Sequence, residues 1–145
     1  MFAKRKPDPA VSSFAAQAAL LQLRRLTAEM AGVRLNEDVE AIHRSRVASR
    51  RLRAVLDTFQ GSLPEKKTAR WLKQVRAITR SLGAARDTDV QMLFLAAQLQ
   101  NQQDGLAHWG IKRLLLRWRQ KRARLQSKVE KSLNDFEHSR AAVEM

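Results

Sequence analysis

The sequence predicts an all-α protein, an antiparallel bundle of about four to five helices, and three observations carry that expectation. No stretch alternates apolar and polar residues with the two-residue period of a half-buried strand. Five stretches instead repeat apolar residues every three or four positions. Each is set off from the next by a breaker: Gly32, the run Gly61-Ser62-Leu63-Pro64, Gly83, and the run from Asn101 to Gly105. With 145 residues, the chain has room for one domain with a modest core or for one half of a larger symmetric assembly.

Taken in order, residues 1–10 read as a disordered basic tail closed by Pro7-Asp8-Pro9. Cations ahead of an apolar segment invite a signal-peptide reading, but the prolines, Gln17, Gln22 and Arg24-Arg25 interrupt it. A first helix is expected from Val11 to about Gly32, with Phe14, Ala18, Leu21 and Ala28 at helical spacing and Gly32 as its stop. Asn36-Glu37-Asp38 suits the start of a second helix, which runs to about Gln60. Its apolar arc holds Ala41, Ala48, Leu52, Val55, Leu56 and Phe59. Pro64 and Glu65 suit the first turn of a third helix over about 64–82, with Trp71, Leu72, Val75, Ile78 and Leu82 on one side and Gly83 as its end. A fourth helix starts near Asp87 as N-cap and runs to about Gln100; apolar on most sides, it is expected to be the most buried. A fifth covers roughly 106–136, about 45 Å long, with Ile111, Leu115, Trp118, Leu125, Val129, Leu133 and Phe136 facing the core. The domain is thus expected over 11–136, with 137–145 frayed.

Charge is the strongest functional signal. There are 28 Lys and Arg against 14 Asp and Glu, a formal charge of +14 that predicts an anionic partner. The excess is segregated: residues 43–80 carry a net +9, residues 112–131 a net +8, and the remainder is slightly acidic. On the second helix His43, Arg46, Arg50 and Arg53 fall within an arc of roughly 80° at about 100° per residue. Arg51 is a marginal member, and Arg44 points elsewhere. On the third, Lys66, Lys73, Arg76 and Arg80 share a side with Arg70 at its margin, and on the last Arg113, Arg117, Lys121, Arg124, Lys128 and Lys131 form another stripe. Steps of three or four residues put neighbouring side chains about 5–6 Å apart, and each guanidinium offers a planar fork of donors with a permanent charge. Such rows suit successive anionic groups along a polymer.

Other chemistry finds little support. There is no cysteine for a disulfide, thiolate nucleophile or thiolate metal site. No Gly-rich phosphate loop and no metal-ligand cluster stand out, so neither an enzyme nor a cofactor is expected. Asp87 and Asp89 read as cap and ion-pair partners rather than as metal ligands. No apolar run approaches the length needed to cross a membrane.

Two motifs, DVEAIHRSRVASRRLRAVLDTF at 38–59 and LKQVRAITRSLGAARDTDV at 72–90, resemble the CHAD domain, the conserved histidine α-helical domain. The resemblance covers about residues 11–136. It implies a helical, noncatalytic binder of inorganic polyphosphate, in a family some of whose members are associated with polyphosphate granules; a cytoplasmic place is the expectation, compatible with the lack of cysteine. By matching positions it implicates His43, Arg46, Arg50, Arg51, Arg53, Lys73, Arg76 and Arg80 in binding, and it gives Arg86, Asp87 and Asp89 a mainly structural role. The usual member is about twice as long and has two related helical halves; this chain resembles the first half alone. A two-fold homodimer rebuilding the groove is therefore expected. The rival reading is a nonspecific nucleic-acid-binding protein using the same basic surface, although no helix-turn-helix, zinc finger or RNA-binding signature is present.

Overall fold

A computed structural model describes residues 7–102 and 104–145. Four long helices, α1 (Pro9–Leu35), α2 (Val39–Thr58), α3 (Glu65–Asn101) and α4 (Leu106–His138), are followed by a single turn, α5 (Ala141–Glu144). One turn of 3-10 helix at Gln60–Ser62 links α2 to α3, and there is no strand among the described residues. The all-α expectation holds.

Local chemistry sets the helix ends. The Asp8 carboxylate accepts a hydrogen bond from the Ala10 amide at 2.8 Å, and Pro9 occupies the first turn, where its missing N–H is not needed. Helix α1 therefore begins two residues before the expected start, and only residues 1–6 of the expected tail lie outside the described residues. It also runs past Gly32 to Asn36, whose left-handed φ of 55° ends the helix while its amide donates to the Gly32 carbonyl. Asp38 caps α2 through the Glu40 amide at 2.8 Å.

Gly83 does not end a helix. Helix α3 passes through it without interruption, so the expected third and fourth helices are one element of 37 residues, about 55 Å long. Asp87 lies inside it and is no N-cap. A lone glycine weakens a helix by only about 1 kcal/mol, less than the packing on either side of it supplies. An added Cβ at Gly83 would sit 3.7 Å from Arg46 Nε of α2, at ordinary van der Waals distance.

The core gathers α1, α2, the first half of α3 and the second half of α4. Leu26, Val33, Ile42, Leu52, Leu56, Val75, Ile78, Leu82, Val129, Leu133 and Phe136 are fully enclosed there. Between Ala85 and Val129 the chain adds nothing to this cluster. The second half of α3 and the first half of α4 instead form a helical hairpin that extends beyond it. The stretch expected to be the most buried is consequently open, with Val90, Leu93 and Phe94 exposed. Helix α1 turns a different face inward from the expected one, burying Ala15, Ala19, Leu23, Leu26, Met30 and Val33, while Phe14 and Leu21 are exposed. An Ala/Leu-rich helix offers more than one stripe at helical spacing. Within residues 137–145, Ala141 is buried in the core and Glu144 forms an ion pair with Arg70.

Candidate functional site

The basic rows of α2 and α3 are brought together by a single carboxylate and a single gap. Asp57, near the end of α2, bonds Arg76 of α3 at 2.8 Å and lies 3.9 Å from Arg53 one turn earlier on its own helix. Farther along, Arg46 lies half-buried over Gly83. Arg46, Arg53 and Arg76 thus mark the seam between the two helices. Arg50, Lys73 and Arg80 are exposed and have neither hydrogen bond nor ion pair among the described residues, and Lys66 is likewise exposed and unpaired. Arg50, Arg51 and Arg53 line an open hollow of about 430 Å³ with Val47 and Ala54. Among the described residues the cations here outnumber the acids Asp57 and Glu65, and such an excess attracts an anion and releases its counterions.

His43 and Arg51 also face the other way. With Gln22, Arg25, Ala28, Glu29, Arg44, Val47 and Ala48 they line a cleft of about 400 Å³ between α1 and α2. Arg44 closes this cleft, donating to both oxygens of Glu29 at 2.8 and 2.9 Å and to Asp38 at 3.0 Å. Glu29 first and Asp38 second raise the Arg44 pKa further. The Glu40 amide first, then Arg44, hold the Asp38 carboxyl below its ordinary value. Arg44 is thereby engaged in joining α1 to α2. Arg25, on α1, is the cation that the sequence reading missed; its signal was proximity to α2, which no single-helix projection contains.

The remaining candidates are apart from this pair. Arg70 turns to Glu144 on α5. Arg113, Arg117, Lys121 and Arg124 are exposed on α4, on the side of the helix opposite its buried row of Leu115, Arg122, Val129 and Leu133. Lys121 lies over the Trp118 ring at 4.3 Å, and none of the four forms a hydrogen bond or ion pair with a residue of α2 or α3 among the described residues.

The family model for the CHAD domain matches residues 17–145, nearly the whole chain. The chain belongs to the CHAD domain family. No curated protein and no solved structure gives a match. CHAD domains are associated with polyphosphate binding.

In this CHAD domain the block around Gly83 is held by a buried polar cluster. Arg122 of α4 donates from Nε to Asp89 of α3 at 2.7 Å, from Nη2 to Asn36 at 2.7 Å, and from Nη1 to Gln126 at 3.0 Å. Gln126 in turn donates to the Val33 carbonyl at 2.9 Å. Three helices are thus tied together where the core ends. Arg86 lies 3.6 Å from Glu40, whereas Asp87 is exposed. Arg122 and Gln126 were not anticipated as buried, although they fill the gap in the apolar row between Leu115 and Val129. Among the described residues no group of His, Asp and Glu has a metal-binding arrangement, and no helix is long and apolar enough to cross a membrane.

Proposed function

We propose that this CHAD domain binds inorganic polyphosphate, without catalysis, on the joined faces of α2 and α3. Arg46, Arg50, Arg53, Lys73, Arg76 and Arg80 carry the polymer, and His43 and Arg51 border it on the α1 side. One observation supports the reading above the others: among the described residues Arg50, Lys73 and Arg80 have no carboxylate partner beside a seam where two helices converge. Arginine forks donate in parallel to phosphate oxygens, and lysines add mobile point charge. Helix α2 offers a track about 30 Å long, enough for several successive phosphates. The surface of one chain suffices for this reading, and a cytoplasmic place at polyphosphate granules accords with it.

Binding of labelled long-chain polyphosphate and of duplex DNA, at equal phosphate concentration across a salt series, tests the proposal. Polyphosphate preference that survives at about 0.15 M salt is expected. Equal affinities that collapse together would replace it with nonspecific nucleic-acid binding. Release of orthophosphate during incubation with magnesium would replace the noncatalytic part.

A further inference from the structure

Helix α3 carries one apolar row along its length. At about 100° per residue, Thr68, Leu72, Val75 and Leu82 continue into Val90, Leu93, Phe94 and Ala97 within the same broad arc. The first four are buried in the core. The second four are exposed, Leu93 by 56% and Phe94 by 63%. What changes between them is the neighbour. Glu40, in the first turn of α2, stands opposite Arg86, so α2 begins at that level and, among the described residues, this row of α3 is left uncovered above it. The hairpin arm also exposes Leu106, Trp109, Leu114 and Leu116 on α4, and Leu35 and Val39 are open at its base.

We propose that this arm is where a second copy of the chain docks, arm against arm and antiparallel, so that the tip of each reaches the base of the other. Two features of the chain select this occupant. The first is charge. Glu37 and Asp87 at the base are exposed carboxylates without partners among the described residues, in a chain with a large excess of cations. The outer half of α4 presents Lys112 and Arg113, and antiparallel pairing brings opposite signs together at both ends. The second is size. From Asp89 to Asn101 the arm extends about 20 Å, and its two helices present a face of roughly 400 Å² before side-chain relief is counted. This is about half of the roughly 800 Å² of accessible surface that a standard pair buries on each partner, and side-chain relief and the exposed Leu35 and Val39 at the base add to it. Two arms would form a four-helix bundle whose apolar interior completes the row that α2 leaves uncovered.

The proposal uses none of the cations assigned to polyphosphate, so each reading stands or falls alone. Its test is the mass of the full chain by light scattering without polyphosphate, beside far-UV circular dichroism as the control for folding. The parent is expected at twice the chain mass of 16.6 kDa. Leu93→Gln with Phe94→Gln replaces two exposed side chains, keeps the helical spectrum, and halves that mass while polyphosphate affinity is retained. Glu37→Lys shifts the pair toward single chains, and adding Lys112→Glu restores it. A parent of single-chain mass overturns the proposal, and so does a pair whose mass is indifferent to the arm substitutions.

Discussion

Asp89 and Arg122 meet at 2.7 Å with side chains that are 8% and 7% exposed, the most enclosed ion pair among those described. Removing one partner of such a pair leaves a buried charge uncompensated, which typically destabilises by about 3–5 kcal/mol. Asp89→Ala is expected to lower stability in urea by that order, whereas replacing both residues with apolar ones of similar volume restores much of the loss. Asp38 makes a different, pH-dependent contribution. Its folded pKa is depressed below 3.8 by the Glu40 amide and then Arg44. The stabilisation is therefore complete above the unfolded value and lost as pH falls through the lower folded one. Exchange protection of the Glu40 amide should hold steady from neutral pH down to about 4 and decline below it. The pairing of Asp89 with Arg122 was not visible on a helical wheel. In the sequence Asp87 and Asp89 read as cap and ion-pair partners, and the arrival of Arg122 from another helix makes Asp89 the buried ion-pair partner and leaves Asp87 an exposed carboxylate.

Two glycines inside helices show how differently one residue type serves two elements. An added Cβ at Gly32 would lie 3.1 Å from the Ala41 Cβ, so this position lets α1 and α2 approach closely. Gly32→Ala is expected to push the helices apart and destabilise by about 1 kcal/mol or more. At Gly83 the nearest atom is 3.7 Å away, at ordinary van der Waals distance, and belongs to the flexible Arg46 side chain. Gly83→Ala is expected to stabilise by up to about 1 kcal/mol through helix propensity. Thermal melts of the two variants should move in opposite directions. Both positions read as helix stops in the sequence, because glycine ends many helices. In each case the stop was overridden by packing that continues on its far side.

For the whole molecule, the decisive property is where the cations lack acids. If Arg50 and Arg53 hold the polymer, Arg50→Ala with Arg53→Ala should weaken polyphosphate binding by roughly tenfold or more at fixed salt. The slope of log affinity against log salt should flatten by about one for each phosphate that is no longer neutralised, while circular dichroism stays unchanged. An unaltered slope would remove α2 from the binding surface. Arg117→Ala with Arg124→Ala is the informative comparison, because that stripe occupies the outward side of α4.

The sequence alone determined the helical class, the start of α2 within Asn36-Glu37-Asp38, the apolar face of α2 and the concentration of charge on three helices, because each depends on period and composition within one segment. It also carried the CHAD motifs, which the family match over residues 17–145 bears out. Tertiary structure decided what no single segment holds. It made one continuous α3 from two expected helices, opened the stretch expected to be most buried, folded the C-terminal turn onto the core, and assigned Asp57 to both basic rows. The physical reason is the same throughout: burial and ion pairing depend on which neighbour arrives, and on α3 the neighbour stops at Glu40 while the apolar row continues.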